Sequence, residues 1–353
     1  MGIIRFALAL SVVLTHLNLT ALVGGVLAVQ TFYLISGFLI GLILNQESAY
    51  RKKTKFYLNR FLRIYPIYIV VLLLTMLFQI LHSSSRFIET ISQLPFLGQV
   101  YLLLCNIFIL GQDVVMFLSF NSNNLNFTSN FRDSDILIYH GLLIPQAWTL
   151  ALEFYFYLLA PFIYNRVKIL LALLLLSVCI RAYTFSEGLA FQDPWTYRFF
   201  PSELSLFILG MLIYRRYLNL IEKNRFTKLR SVLCVSAILG VISCYTLIKL
   251  PVAIKHAAFV ILICLALPYL FNFQNRFKFD KRVGELSFPI YVCHILIIDA
   301  LTTYLPGLRN EHLYLFSMTV VTFTLLFSIG LNRLVDPFII PMRNRIRNNY
   351  QRE

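Results

Sequence analysis

Two polar residues stand where apolar helices rarely carry them. His16 closes the run "IRFALALSVVLTH", and Glu153 lies inside "AWTLALEFYFYLLAP". An ionised carboxylate near the hydrocarbon centre of a membrane costs at least about 2.5 kcal/mol, so such a residue usually faces a polar cavity or a partner. A histidine beside a buried carboxylate has a fixed tautomer and a stronger base, which suits it to take a proton from a hydroxyl nucleophile. The alternative is an interhelical hydrogen bond with no chemistry. Arg60 and Arg63 in "FYLNRFLRIYPIY" form a second pair, three residues apart and hence neighbours on one helical face. Two guanidinium groups there could clamp a phosphate, or simply anchor the helix at the inner surface. His294, in "SFPIYVCH", falls roughly 10 Å inside its own apolar run, as a structural residue or as part of a substrate route. Ser36 adjoins Gly37 and Gly41, a spacing that favours close helix packing. Glu203, just after Pro201, suits the start of a helix, and Asp299 and Arg181 are candidate partners of other helices.

The elements that must position these residues follow from composition. The chain has 353 residues, of which 59% are hydrophobic and 13% charged, with a mean hydropathy of +0.74. Soluble domains carry roughly twice that charged fraction, so the expected class is an all-α integral membrane protein. Apolar runs of about 20 residues occupy 3–22, 28–45, 61–82, 147–164, 168–184, 202–217, 231–248, 254–271, 287–304 and 313–334. The N-terminal run resembles a signal peptide, but His16 interrupts it and a second apolar segment follows at once. One further apolar stretch, 96–118, is ambiguous. Basic residues cluster at 51–63, 215–230, 276–282 and 343–352, and cytoplasmic loops collect Lys and Arg. All four clusters share one side only if one stretch between the first two does not cross. Residues 96–118, with Asn106, Gln112 and Asp113, are the best candidate, as a re-entrant segment covered by protein.

The expectation is therefore about ten transmembrane helices plus a re-entrant segment, with both termini cytoplasmic and residues 119–146 outside. Residues 1–340 form one integral domain and 341–353 a basic cytoplasmic tail. The net charge of +15 then reflects topology and attraction to anionic membrane lipids, not nucleic-acid binding, for which no motif is present. Six cysteines without a CxxC spacing read as small core residues, and no metal site or bound cofactor is expected. In this topology His16 sits about 9 Å from the outer end of the first span and Glu153 at a similar depth, so the two could meet.

Taken in order, six segments resemble the membrane-bound acyltransferase-3 family, whose typical members are bacterial envelope O-acyltransferases. They are "IRFALALSVVLTH" with Arg5 and His16, "FYLISGFLIG" with Ser36, "NRFLRIYPIY" with Arg60 and Arg63, "WTLALEFYFYLLAP" with Trp148 and Glu153, "ELSLFILGML" with Glu203 and Gly210, and "GELSFPIYVCH" with His294. The resemblance implies location in the bacterial inner membrane, acetyl-CoA or a similar thioester as donor, and a sugar hydroxyl of a polysaccharide or lipid-linked oligosaccharide as acceptor. It implies that Arg60 and Arg63 hold coenzyme A phosphates, that His16 is the general base, and that Glu153 orients it. Arg5, Ser36, Trp148 and His294 support them. Phe288 stands where the family often has tyrosine, and the chain ends on its basic tail without the esterase-like domain that some members append, like the stand-alone modifiers of O-antigen or exopolysaccharide. Two readings of another kind compete with this one. A proton-coupled transporter would use His16 and Glu153 as a relay, and a glycan polymerase or ligase would need no acetyl-CoA.

Overall fold

The computed structural model describes residues 1–45, 52–82, 86–121, 124–222 and 226–348. Apolar runs with no competing strand pattern fold as helices. In chain order these are α1 (Gly2–His16), α2 (Gly25–Leu44), α3 (Lys53–Leu81), α4 (Arg86–Gln93), α5 (Phe96–Phe108), α6 (Trp148–Ile163), α7 (Val167–Ser186), α8 (Phe200–Glu222), α9 (Lys228–Cys244), α10 (Val252–Arg276), α11 (Lys278–Glu285), α12 (Ser287–Tyr304), α13 (Pro306–Glu311) and α14 (Leu313–Asn348). A short antiparallel hairpin, β1 (Leu118–Asn121) with β2 (Asn124–Phe127), interrupts this pattern before α6. The fold is an all-α membrane architecture.

Eight helical segments among the described residues are long and apolar enough to cross a bilayer. Of the ten expected spans, α1 and α6 fall short, with 15 and 16 residues against the roughly 20 that a crossing needs. The first expected span was drawn to residue 22, but α1 ends at His16. Other limits also move. The third span begins at Lys53 and not at 61, and the last continues through Pro337 and Pro341 to Asn348. The boundary expected at 340/341 therefore falls inside α14, and residues 349–353 of the tail lie outside the described residues.

Segment 96–118 resolves into a 13-residue helix, α5, followed by a compact loop. Its polar residues fasten that loop. The Asn106 side-chain amide donates to the carbonyls of Leu102 (2.9 Å) and Gly141 (2.8 Å), while its Oδ1 accepts from the Leu143 N–H at 2.8 Å. Gln112 Nε2 donates to the Tyr68 hydroxyl at 3.0 Å and to the Cys105 carbonyl at 3.1 Å. Both residues are buried. The bonds to the Gly141 carbonyl and from the Leu143 N–H satisfy backbone groups outside the helices, and together these contacts fasten the segments around Gln112 and 141–143 against α3 and α5 as part of a roof over one end of the bundle.

The tightest helix pair is α2 on α8. A Cβ added at Gly37 would lie 1.9 Å from the Phe207 carbonyl oxygen, and one at Gly210 would lie 2.0 Å from that of Leu34. Each glycine lets the other helix's backbone approach, so the glycine spacing read from the sequence is a packing signal. Gly37→Leu is expected to cost at least about 3 kcal/mol through forced separation of the two backbones. A lowered thermal midpoint of the detergent-solubilised protein would register it, and an unchanged midpoint would contradict the packing. The same helices are joined by a buried polar cluster, in which Glu203 Oε1 meets Arg181 Nη2 at 2.7 Å and the Gln30 side-chain amide at 3.3 Å. Glu203 and Arg181 are thus partners in holding α2, α7 and α8 together.

Candidate active site

Three cavities follow one another from the basic end of the bundle to the roof; α1, α2, α3, α6 and α12 line the middle one, α10, α11 and α14 add side chains at the basic end, and α4 and α13 add them under the roof. At the basic end the N–H groups of Gly2 and Ile3, which begin α1, donate to the Asp280 carboxylate at 2.6 and 2.8 Å. These bonds satisfy helix-end donors that have no partner of their own. Just under one turn on from Gly2, about 4.5 Å along the axis, Arg5 projects into the first cavity.

That first cavity has a volume of about 450 Å³, and its wall holds six cationic side chains, Arg5, Arg60, Arg63, Lys281, Arg343 and Arg347, against the carboxylates Glu285 and Asp336. Arg60 and Arg63 share a face of α3, as their spacing required. Asn59, itself buried, accepts from Arg60 Nη2 at 3.0 Å and from Arg343 Nη2 at 3.5 Å, bracketing α3 to α14. The sequence reading missed Arg343 and Arg347 as site residues. Their signal was visible in the basic run at 343–352, but assigning it to a tail removed it from the bundle.

The second cavity shares Arg5, Leu39, Arg60, Arg63 and Phe288 with the first and contains Glu153 and Ser36. The Ser36 hydroxyl donates to Glu153 Oε1 at 2.5 Å, and the Tyr157 hydroxyl, one turn along α6, donates to the same oxygen. Glu153 thus sits in a cavity lined also by three guanidinium groups. That placement answers why an apolar helix carries an acid: its counter-charge offsets cations that would otherwise repel one another in a low-dielectric wall. Glu153→Gln keeps an acceptor for Ser36 but removes the charge. Its expected result is a destabilised protein, read by thermal midpoint, and a wild-type midpoint would remove Glu153 from this role.

Val29 and Tyr291 line both the second cavity and the third. Tyr291 is held by Thr149, whose hydroxyl donates to it at 2.9 Å, and its own hydroxyl donates to the Gln146 carbonyl at 3.0 Å. The third cavity, about 540 Å³, lies under the roof and contains His16, Gln146, Trp148 and Arg198. Trp148, the first residue of α6, carries the Arg198 guanidinium 4.3 Å above its ring and meets Tyr197 edge-on at 5.0 Å.

His16 and Glu153 are not brought together. Glu153 belongs to the middle cavity and His16 to the roofed one. The equal-depth argument assumed that the first helix ran to residue 22 and that α6 began level with it. With α1 ending at His16 and Glu153 five residues inside α6, the two side chains address different rooms. The neighbour His16 does have is His294, at a ring-centroid distance of 5.0 Å. His294 is fully buried, and its Nδ1 lies 2.7 Å from the Tyr291 carbonyl. A carbonyl only accepts, so Nδ1 carries the proton and Nε2 keeps its lone pair in the neutral ring. No protein group bonds that Nε2 among the described residues.

Chemically, the arrangement offers a polycationic chamber, a connecting room with a carboxylate and hydroxyls, and a roofed chamber with an imidazole. No group of His, Cys, Asp and Glu side chains suited to a metal ion occurs among the described residues. The proton relay required for a transporter reading rested on contact between His16 and Glu153, which the geometry does not provide. No curated protein and no solved structure matches the chain at a significant level. A family model described as an acyltransferase domain does match, over residues 1–331. With 331 of 353 residues accounted for by that model and a bundle of membrane-length helices around the adjoining cavities, the chain belongs to the acyltransferase-3 family and is a multi-pass membrane acyltransferase.

Proposed function

We propose that the protein moves an acetyl group from acetyl-CoA, bound at the basic end, to a sugar hydroxyl of a cell-surface polysaccharide or its lipid-linked precursor, bound under the roof. The observation that carries this reading is the series of cavities, with six cations at one end, His16 at the other and shared walls between. Coenzyme A has a polyanionic nucleotide joined to a long thin arm ending in the thioester. Arg60, Arg63, Arg343 and Arg347 suit the phosphates, since guanidinium groups bind them in a bidentate manner. The arm points into the middle cavity, which must widen from its volume of about 90 Å³ to admit it and bring the thioester to the Tyr291 boundary.

At that boundary the acceptor hydroxyl attacks the thioester carbonyl. A C–O bond forms, the C–S bond breaks, and His16 takes the hydroxyl proton and returns it to the departing thiolate. A neutral imidazole is the form that can accept this proton. His294 stands behind His16 with its free Nε2, able to receive a ring N–H from His16 and so hold the opposite nitrogen toward the cavity. In this scheme His294 is a positioning residue and Glu153 belongs to the donor side.

The same reading places the basic end in the cytoplasm, both chain termini inside, and the roof on the outer face of the bacterial inner membrane. Leu125→Cys, in β2, is then expected to react with a membrane-impermeant maleimide from outside, above the background of the parent chain, whose Cys179 and Cys244 are exposed. Labelling solely from inside would invert the assignment. Function is tested with protein reconstituted in vesicles and [14C]acetyl-CoA supplied only to the basic face. Label appearing on glycan at the roof face supports the reading, and no consumption of donor supplied at the basic face contradicts it.

A further inference from the structure

The roofed cavity is unusually cationic for a site that receives a sugar. Among the described residues its wall contains Arg86, Arg132, Arg198 and Arg309, with Asp299 as the one lining carboxylate, besides His16 and His140; Arg132 is largely exposed and already pairs with Asp193 at 3.5 Å, which leaves Arg86, Arg198 and Arg309 as the cations that matter. His140, in the roof loop, is held below the usual histidine range by burial and, less strongly, by Arg86, with Glu89 acting in the opposite sense.

Arg198 is built into place. Its Nε donates to Asp193 Oδ1 at 2.5 Å and its Nη2 to Asp193 Oδ2 and the Tyr197 hydroxyl, both at 3.1 Å, while Trp148 supports the guanidinium plane. Its Nη1 has no protein partner among the described residues and remains available to the cavity. Arg309 donates from Nη1 to the Thr302 hydroxyl at 2.8 Å and lies 5.9 Å from the Phe316 ring. Neither Arg86 nor Arg309 forms an ion pair with Asp299 among the described residues, although both lie close enough to act on its charge. Like charges gathered around a concave, protein-walled space raise the local concentration of anions, and guanidinium forks match carboxylate and phosphate oxygens.

From this placement we infer that the acceptor is anionic: a glycan carrying an oxyanion, held by Arg86, Arg198 and Arg309 while its hydroxyl faces His16. The inference deepens the acyltransferase reading and rests on it for the word acceptor. The oxyanion is either a uronate carboxylate on the sugar or a phosphate of its carrier.

The chain has two tryptophans, so Trp195→Phe leaves Trp148, in the cavity wall, as the sole indole reporter. With this variant in nanodiscs and coenzyme A saturating the basic end, Trp148 emission is titrated with trigalacturonate, with an uncharged trisaccharide of galactose, and with inorganic pyrophosphate. The expected result is half-saturation by trigalacturonate or by pyrophosphate at a concentration at least tenfold below that of the neutral sugar. Arg86→Gln combined with Arg309→Gln is expected to erase that preference while leaving the thermal midpoint unchanged. Preference for trigalacturonate identifies the sugar carboxylate, and preference for pyrophosphate alone identifies the carrier. Equal response to all three, no response to any, or a preference that survives the double substitution overturns the inference. Because the readout is binding, failure of the acyltransferase reading would show separately, as absence of acetyl transfer with anion preference intact.

Discussion

His16→Ala is expected to lower the rate of acyl transfer by roughly 10²- to 10⁴-fold, the range contributed by a positioned general base. The donor's half-saturating concentration is expected to remain within about twofold, because His16 is absent from the cation-lined cavity and the loss falls on the transition state alone. The physical reason lies in where α1 stops. Its last helical residue projects into the roofed cavity against His294, so the imidazole has a wall behind it and space in front. His294→Gln provides the companion measurement. It is expected to weaken transfer less than His16→Ala while shifting the pH–rate profile, because the glutamine amide can contact His16 but does not fix its tautomer as an imidazole nitrogen does. An unshifted profile with a reduced rate would make His294 a packing residue only.

The second large effect belongs to the donor. Arg60→Ala combined with Arg63→Ala removes two of the six cations of the basic chamber. Each charge-assisted bond to phosphate is worth about 1.5–3 kcal/mol, so the apparent KM for acetyl-CoA is expected to rise on the order of 100-fold. The turnover at saturation should change far less. Arg60 also packs against Asn59 and lies 6.0 Å from the Tyr157 ring, so the thermal midpoint must be read beside the kinetics. Arg343→Ala with Arg347→Ala, on the far end of α14, is expected to raise KM in the same direction without touching α3. If neither pair alters donor dependence, these arginines are anchors at the membrane surface and the basic chamber does not hold coenzyme A.

Much of this architecture is legible in the chain because apolar length and charge position are one-dimensional signals. The eight membrane-length helices follow from them; the Gly37/Gly41 spacing marks α2 as a close-packing helix, while its partner α8 and the matching Gly210 emerge only in three dimensions. The six segments with their polar residues led to the family, and Arg60 and Arg63 share a chamber because i and i+3 share a helix face. Distances between helices are another matter. The pairing of His16 with Glu153 was inferred from depth alone, and depth fails where helices end below a roof. The neighbour in space is His294, nearly 280 residues away in the chain, and only the packing of α1 against α12 reveals it. Arg343 and Arg347 were hidden for the opposite reason. Their charges were plain, but a proline-containing basic stretch reads as a tail, whereas here a helix carries it back over the chamber.

The most direct test of the central claim is the O-acetyl content of the cell-envelope polysaccharide, read by NMR, in cells carrying the wild-type chain, the His16→Ala chain or neither. The account predicts O-acetyl signals with the wild type and their loss in both other strains, with equal amounts of the two proteins in the membrane. O-acetyl signals that persist unchanged with His16→Ala, while absent without the protein, would contradict the assignment of His16 as the base that transfers the acetyl group.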